Sequence, residues 1–287
     1  MIRSLLAGLC ALLVAPAGAS AIHVTDDTGR ALTFSSPPQR IVSLAPHLTE
    51  LVYAVGAGAQ VVGVDSFSDY PQAAGLLPRV GDASRIRFER ILALKPDLIL
   101  AWTGGNRSAD LHGVAQLGIP VLHTEARRIA DVARLLRLIG EATGHADAGE
   151  RTAQAYELHI EGLRERHARA DPVPVFYQIW DRPLMTVGGL HWIDEALAVC
   201  GARNIFHDIQ SVVPAVSREA VLRRRPAVIL GGTDARDMRR IWKGFANLPA
   251  VRNDAFVNVD ADLLHRAGPR LAAGVAGLCA ALDAYER

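Results

Sequence analysis

Two acidic residues begin matching segments in the two halves of the chain. Glu89 starts Glu-Arg-Ile-Leu-Ala-Leu-Lys-Pro-Asp-Leu-Ile-Leu, and Glu219 starts Glu-Ala-Val-Leu-Arg-Arg-Arg-Pro-Ala-Val-Ile-Leu. Each pattern predicts a helix that begins at the acid, ends before a proline and leads into a buried strand. A carboxylate at a helix N-terminus is stabilised by the helix dipole. The acids are therefore either stabilising charges alone or the two points of a docking surface, and the repeat by itself supports both readings.

Large aromatic rings follow predicted strands in both halves. Phe67 and Tyr70 follow one strand, Trp102 follows another, and Tyr177 and Trp180 lie at or just beyond the end of a third. Open α/β sheets bind ligands outside the carboxyl ends of their strands, and aromatic walls suit an organic ligand. The same rings could instead close the ends of two cores. Their presence in both halves favours a cleft.

No catalytic motif is present in the sequence. It lacks a Gly-x-Ser-x-Gly elbow, a Walker loop, a His-Glu-x-x-His pair and a Cys-x-x-Cys pair, so catalysis has no positive support. His47, His191, His207 and His265 fall in or near predicted loops, but their spacing matches no metal site. We expect polar loop or cleft residues and no bound metal. Convergence of His47, His191 and His265 in space would indicate a metal site instead.

Length and charge restrict the class of protein. The 287 residues suit two domains rather than one core, and 50% of them are hydrophobic. The net charge is +1, from 31 basic and 30 acidic residues, with no block of like charge. This distribution favours a small-molecule or protein partner over a nucleic acid or a membrane surface.

The N-terminal residues have the pattern of a secretory signal peptide. A basic start, an apolar stretch and a small-x-small site predict a signal at 1–21 with cleavage after Ala21. Cys10 is read as an ordinary residue of the apolar stretch, with a lipid-anchored cysteine as the alternative. Export leaves Cys200 and Cys279 in an oxidising compartment, where an even number of cysteines favours a disulfide over two free thiols.

Short apolar runs alternate with helical patterns and predict an α/β protein of two lobes, each with a mostly parallel sheet flanked by helices. A hairpin at 23–34 leads the first lobe. We expect lobes at 22–144 and 171–287, joined by one helix at 145–170 that permits only modest closure. The predicted strands are 41–44, 61–64, 98–101, 121–123, 175–179, 228–230 and 256–259, and the helices lie near 49–55, 88–94, 107–117, 129–143, 192–200, 217–224 and 269–285.

Six segments carry a resemblance to a known family: 40–51, 62–71, 89–106, 200–206, 216–219 and 266–270. They resemble the periplasmic cobalamin-binding proteins of ABC importers over nearly the whole chain after the predicted signal. The Pro-x-x-Thr-Glu and Leu-Lys-Pro-Asp-Leu-Ile motifs are shared with the wider group that carries haem and ferric siderophores. Ser-Phe-Ser-Asp-Tyr-Pro and Ala-Trp-Thr-Gly-Gly-Asn narrow the resemblance toward cobalamin.

This resemblance implies a class III periplasmic binding protein, with two α/β lobes on one long helix and a corrinoid held between them. It implies that Glu89 and Glu219 pair with arginines on the two copies of the ABC permease. It also implies a disulfide between Cys200 and Cys279. The residues that it assigns to the ligand are Phe67, Trp102, Asp262 and Arg266.

The chain departs from the family at two cleft positions. Ala83 and Val213 stand where the family has tryptophans, and Trp180 and Trp192 are the rings that could replace them. Each lost ring removes stacking worth about 0.5–1.5 kcal/mol beyond its buried area. The ligand is therefore cobalamin, a related corrinoid such as cobinamide, or another tetrapyrrole.

The sequence thus predicts a monomeric periplasmic protein that delivers a corrinoid to an ABC permease and catalyses no reaction. Three alternatives stay open. The first is haem or ferric siderophore binding by a protein of the same class, and the second is a metal-dependent periplasmic enzyme. The third is a signalling module that docks on a membrane receptor and has no open cleft.

Overall fold

The first half of the chain forms a four-stranded parallel sheet in the computed structural model, which describes residues 21–232 and 234–285. All but the last residue of the predicted signal peptide, Cys10 included, lies outside the described residues. The elements are β1 (Ile22–Thr25), β2 (Ala31–Phe34), β3 (Ile41–Ser43), α1 (Pro46–Ala54), β4 (Val61–Val64), β5 (Gly81–Asp82), β6 (Arg85–Ile86), α2 (Phe88–Ala93), β7 (Leu98–Trp102), α3 (Ser108–Ala115), β8 (Val121–Thr124) and α4 (Ala130–Ala142).

The parallel sheet has the strand order β4-β3-β7-β8. Its strands are mostly apolar, as expected for a parallel sheet that is covered on both faces, and Ile41, Val42 and Leu98 are completely buried. Two antiparallel hairpins, β1-β2 and β5-β6, accompany it. The hairpin predicted at 23–34 corresponds to β1 and β2.

A long helix, α5 (Ala146–Arg166), connects the two halves. Its 21 residues span about 30 Å at 1.5 Å per residue. Its buried face packs on α4 of the first half. The two helices approach so closely that a Cβ on Gly140 would lie 2.9 Å from the Cα of Gly149. The helix lies within the predicted segment 145–170, and the domain boundaries placed at its ends stay a prediction.

The second half contains a five-stranded mixed sheet. β9, β12 and β13 are parallel neighbours, a further strand, β11, runs parallel to β9, and β10 is antiparallel to β9. The elements are β9 (Val173–Asp181), β10 (Leu184–Thr186), α6 (Trp192–Val199), β11 (Ala202–Asn204), α7 (Arg218–Arg224), β12 (Val228–Gly231), α8 (Ala235–Trp242), α9 (Pro249–Arg252), β13 (Phe256–Asn258), α10 (Ala261–Leu264) and α11 (Leu271–Tyr285). The predicted α/β architecture of two lobes joined by a helix is confirmed. No described helix has both the length and the apolar character needed to span a membrane.

Cys200 and Cys279 form a disulfide, as predicted. Cys200 follows α6 and Cys279 lies in α11, so the bond fastens the C-terminal helix to its own lobe. Both cysteines are completely buried.

Removal of this disulfide is expected to lower the free energy of unfolding by about 4 kcal/mol, because it closes a long loop across a sequence separation of 79. Guanidinium denaturation of Cys200→Ser/Cys279→Ser would measure the loss. Reduced wild-type protein serves as the control, since it should lose as much. A double variant as stable as the oxidised wild type would contradict the prediction.

Candidate functional site

Charged residues from both lobes form an interlobe ion-pair cluster of Glu50, Asp69, Asp262, Arg266 and Arg270. Glu50 is only 3% exposed, and its carboxylate accepts hydrogen bonds from Arg270 at 2.6 and 2.9 Å and from Arg266 at 3.2 Å. Arg266 also donates to Asp69 at 2.6 Å and to Asp262 at 3.1 Å. The hydrogen bond from Arg266 lowers the pKa of Asp69.

This cluster shows how the lobes face each other. Glu50 follows β3 and Asp69 follows β4, whereas both arginines follow β13. The contacts therefore join the carboxyl ends of strands in one sheet to the carboxyl end of a strand in the other. Ligands of α/β sheets bind at such ends, so the candidate site lies along this junction.

Trp102 ends β7 and is held in place from two sides. Its ring meets His47 edge-on, with centroids 4.9 Å apart and an interplanar angle of 84°. A Cβ on Gly105 would lie 2.0 Å from the Trp102 ring, so only glycine allows this ring position. Burial, with a smaller contribution from the charge of Arg266, lowers the pKa of His47 to about 3. A neutral imidazole thus supports a half-buried indole.

Phe67 projects from a well-fixed loop after β4, and 64% of it is exposed. The Asp65 carboxylate accepts from the Phe67 backbone N–H at 2.7 Å, and Arg79 donates to the carbonyls of Asp65 and Ser68 at 2.9 and 2.8 Å. Burial raises the pKa of Asp65 to about 6. A rigid loop with an exposed ring loses little conformational freedom when a ligand covers it.

The two aromatic residues of β9 have different environments. Trp180 lies within the strand, which continues to Asp181, and 59% of it is exposed. Tyr177 is completely buried, and its hydroxyl is 2.9 Å from His265 Nε2. Tyr177 therefore belongs to the core of its lobe, whereas Trp180 remains available to a ligand.

Trp192 does not replace the missing cleft rings. It is 5% exposed, and its indole N–H donates to the Leu264 carbonyl at 2.8 Å. The expectation that Trp192 could compensate is corrected, because the residue lies on the inward face of α6. Ala83 is exposed in the turn between β5 and β6, and Val213 is half-buried in the loop before α7.

The predicted ligand-contacting residues thus differ in whether their side chains already have partners within the protein. Phe67, Trp102 and Trp180 offer rings, whereas the guanidinium of Arg266 is engaged by three carboxylates. The side chain of Asp262 is 68% exposed and keeps oxygen surface for a ligand. Sequence reasoning missed Glu50 and Arg270 as site residues, although both fall in segments that carried the family resemblance.

The histidines have individual structural partners. His191 Nδ1 accepts from the Ile193 backbone N–H at 3.1 Å and caps α6, and burial, with the nearby His265, lowers the pKa of His191 to about 3. His207 is exposed. Across residues 21–232 and 234–285, no group of three or more His, Cys, Asp or Glu side chains is placed to hold a metal ion.

Glu89 and Glu219 occupy the same position in their two helices. Each is the second residue of its helix, α2 or α7, and each is exposed. Ser217 caps α7 by accepting from the Ala220 backbone N–H, so Glu219 is not the cap. Both helices are followed by a residue of positive φ before the proline, Lys95 at 47° and Arg225 at 48°. The sequence repeat is therefore also a repeat in backbone structure.

The sequence profile described as periplasmic binding protein matches residues 41–263, which is most of the chain. The chain belongs to the periplasmic binding protein family. This family consists of binding proteins rather than enzymes, and the predicted periplasmic location is confirmed.

The chain is also similar to individual members of this family in sequence and in structure. The chain is 36% identical to the vitamin B12-binding protein of Vibrio cholerae serotype O1 over 252 residues, covering 88% of this chain and 91% of that protein. The crystal structure of periplasmic vitamin B12 binding protein BtuF of Vibrio cholerae superposes with a TM-score of 0.80 at 35% identity, covering 88% and 99% of the two chains. The periplasmic haem-binding protein RhuT from Roseiflexus sp. RS-1 gives a TM-score of 0.76 at 27% identity, covering 87% and 99%.

Proposed function

We propose that this periplasmic binding protein captures cobalamin or a related corrinoid between its lobes and delivers it to an ABC permease. The main support is that exposed or half-exposed rings from both lobes, Phe67, Trp102 and Trp180, lie at or after the carboxyl ends of strands. The vitamin B12-binding relatives supply the ligand class. A corrinoid has large apolar faces and a polar rim, which matches aromatic walls near charged loops.

The interlobe ion-pair cluster and α5 would hold the lobes at nearly the spacing that the ligand needs. Glu50 is buried with two arginines, and separating the lobes would expose or strand these charges. Stranding a buried charge costs about 3–5 kcal/mol. We therefore propose a small hinge motion on binding rather than wide closure.

Titration of the purified protein with cyanocobalamin tests the proposal. We expect binding at micromolar concentration or below, measured by the heat released or by the quenching of tryptophan fluorescence. Trp102→Ala should weaken binding roughly tenfold, because it removes one stacking wall. Leu158→Ala, at an exposed position on α5, is the control and should bind as wild type. Absence of binding at micromolar concentration would reject the proposal.

Haem is the second candidate ligand, and the similarity to RhuT favours it. Haem iron needs a ligand such as tyrosine or histidine. His47 is buried, and Nε2 of His265 is hydrogen-bonded to Tyr177, so His47 is shielded from a ligand and one ring nitrogen of His265 is already engaged. Tyr70 is 47% exposed, beneath the guanidinium of Arg270. Hemin titration separates the two candidates: a shifted Soret band that disappears in Tyr70→Phe would favour haem.

A further inference from the structure

A small cavity lies beside Trp180, between β9 and α8. Its volume is about 200 Å³. Sites for complete organic ligands are larger, about 300–1,000 Å³, so this cavity suits a side arm rather than a whole ligand. Its lining residues are Gln178, Trp180, Asp181, Asp237, Arg240 and Ile241.

The amide of Gln178 is oriented with its donor group unused. The residue is only 1% exposed, and its Oε1 accepts from the Trp242 indole N–H at 2.8 Å. An indole N–H is only a donor, so the atom facing it must be the oxygen and the other must be the NH2 group. In the described part of the chain, no atom accepts a hydrogen bond from this NH2 group. A donor of this kind in the wall of a cavity is available to a ligand oxygen that enters the cavity.

The charges around the cavity restrict the chemistry of that ligand group. Asp237 is paired with Arg240 at 3.0 Å, and Asp181 with Arg182 at 3.5 Å. Each carboxylate has two oxygens and retains acceptor capacity beyond one ion pair. Because each aspartate is paired with an arginine, the cavity is close to electrically neutral and suits an uncharged arm that accepts from Gln178 and donates to an aspartate. A primary carboxamide meets all three requirements.

We infer that this cavity binds a carboxamide side arm of the ligand and thereby selects amidated corrinoids over tetrapyrroles whose arms lack an N–H donor, such as esters and carboxylates. The inference rests on the proposed function. Corrinoids such as cobinamide carry amide arms around the ring, whereas haem carries two carboxylates. The arm's carbonyl oxygen accepts from the Gln178 NH2 group, and its N–H donates to Asp181 or Asp237, while Trp180 covers the adjoining apolar surface. A carboxylate arm has no N–H to donate to either aspartate, and the two arginines of the cavity region, Arg182 and Arg240, are already paired.

The test compares two corrinoids by calorimetry. Dicyanocobinamide carries the amides, and the heptamethyl ester of dicyanocobyrinic acid has ester groups with no N–H donor. Asp181→Ala/Asp237→Ala should weaken cobinamide binding about tenfold and leave ester binding unchanged, since only the amide donates to these carboxylates. Asp254→Ala is the matched control, because Asp254 also pairs with an arginine of α8, at 2.6 Å, but does not line the cavity.

Gln178→Glu gives a second, independent variant. It keeps an acceptor for Trp242 and removes the NH2 donor, so cobinamide and the ester, which both present a carbonyl oxygen to Gln178, should both lose affinity, with folding checked by thermal melting. An unchanged preference between the two corrinoids in Asp181→Ala/Asp237→Ala, or unchanged affinity for both compounds in Gln178→Glu, would overturn the inference alone. Wild-type protein that binds neither compound would overturn the proposed function as well.

Discussion

Reversing the charge of both Glu89 and Glu219 is expected to abolish uptake of the ligand while its affinity stays within about twofold of wild type. Both acids are exposed at equivalent positions on the two lobes, and neither has an ion-pair partner in the described part of the chain. If each meets an arginine of the permease dimer, Glu→Arg places like charges in contact at both ends of the interface. Like-charge contacts across an interface cost several kcal/mol each.

The measurement is ligand uptake by proteoliposomes that contain the permease, with Glu89→Arg/Glu219→Arg as the binding protein. Each single variant should retain part of the uptake, since one docking point remains. Asp147→Arg/Glu165→Arg makes the same change in net charge at exposed positions on α5 and should transport normally. If the Glu89 and Glu219 double variant supports normal uptake, these acids do not dock the permease.

The helix dipole and the docking role explain different properties of these acids. An acid in the first turn is favoured by the dipole in any helix, and Glu89 and Glu219 both have this advantage. The dipole does not require the same position, the same positive φ after the helix and the same following strand in two lobes. That equivalence is expected if one face of each lobe meets one copy of a symmetric partner.

Most of the fold could be predicted because its main elements have strong local patterns. The apolar strands at 61–64 and 98–102 and the helix Ala130–Ala142 follow directly from hydrophobic periodicity. The strands β10 and β11 have only three residues each and depend on pairing with β9, so their sequences carry no independent signal. The helix α8 was also not predicted. Its sequence is mostly polar, and only one face, which packs on the second sheet, holds it in place.

The site was less predictable because its contacts join residues that are distant in sequence. Glu50 and Arg270 are separated by 220 residues, and nothing in the local pattern of either one identifies the other. Position at or after a strand end indicated Phe67, Trp102 and Trp180, because chain direction alone places such residues at the sheet edge, and their contact with a ligand stays a prediction. Position along the chain did not show that Trp180 is exposed whereas Tyr177 is buried, and it did not show that Trp192 is buried. The direction of each side chain depends on register and packing.

Two buried histidines, His47 and His191, also make the stability of the fold sensitive to acid. His47 and His191 have pKa values lowered to about 3 in the folded protein, chiefly by burial. In the unfolded chain they bind protons near pH 6.5. Between these values the unfolded state binds more protons, so the free energy of unfolding falls as the pH falls. Each histidine contributes about 1.4 kcal/mol per pH unit, or about 5 kcal/mol for the pair between pH 6.5 and 4.5.

We expect His47→Leu/His191→Asn to remove this part of the acid sensitivity in urea denaturation at pH 7.5 and 4.5. Leucine suits the buried apolar site beside Trp102, and asparagine keeps a side-chain acceptor that caps α6. The control His112→Asn/His159→Asn changes two exposed histidines and should keep the wild-type loss. Asp65, whose pKa is raised to about 6, opposes the trend because its protonation favours the folded state, but it is present in all three proteins.

A double variant that loses as much stability as wild type would show that protons reach these imidazoles without unfolding. The rigid support proposed for Trp102 would then be wrong.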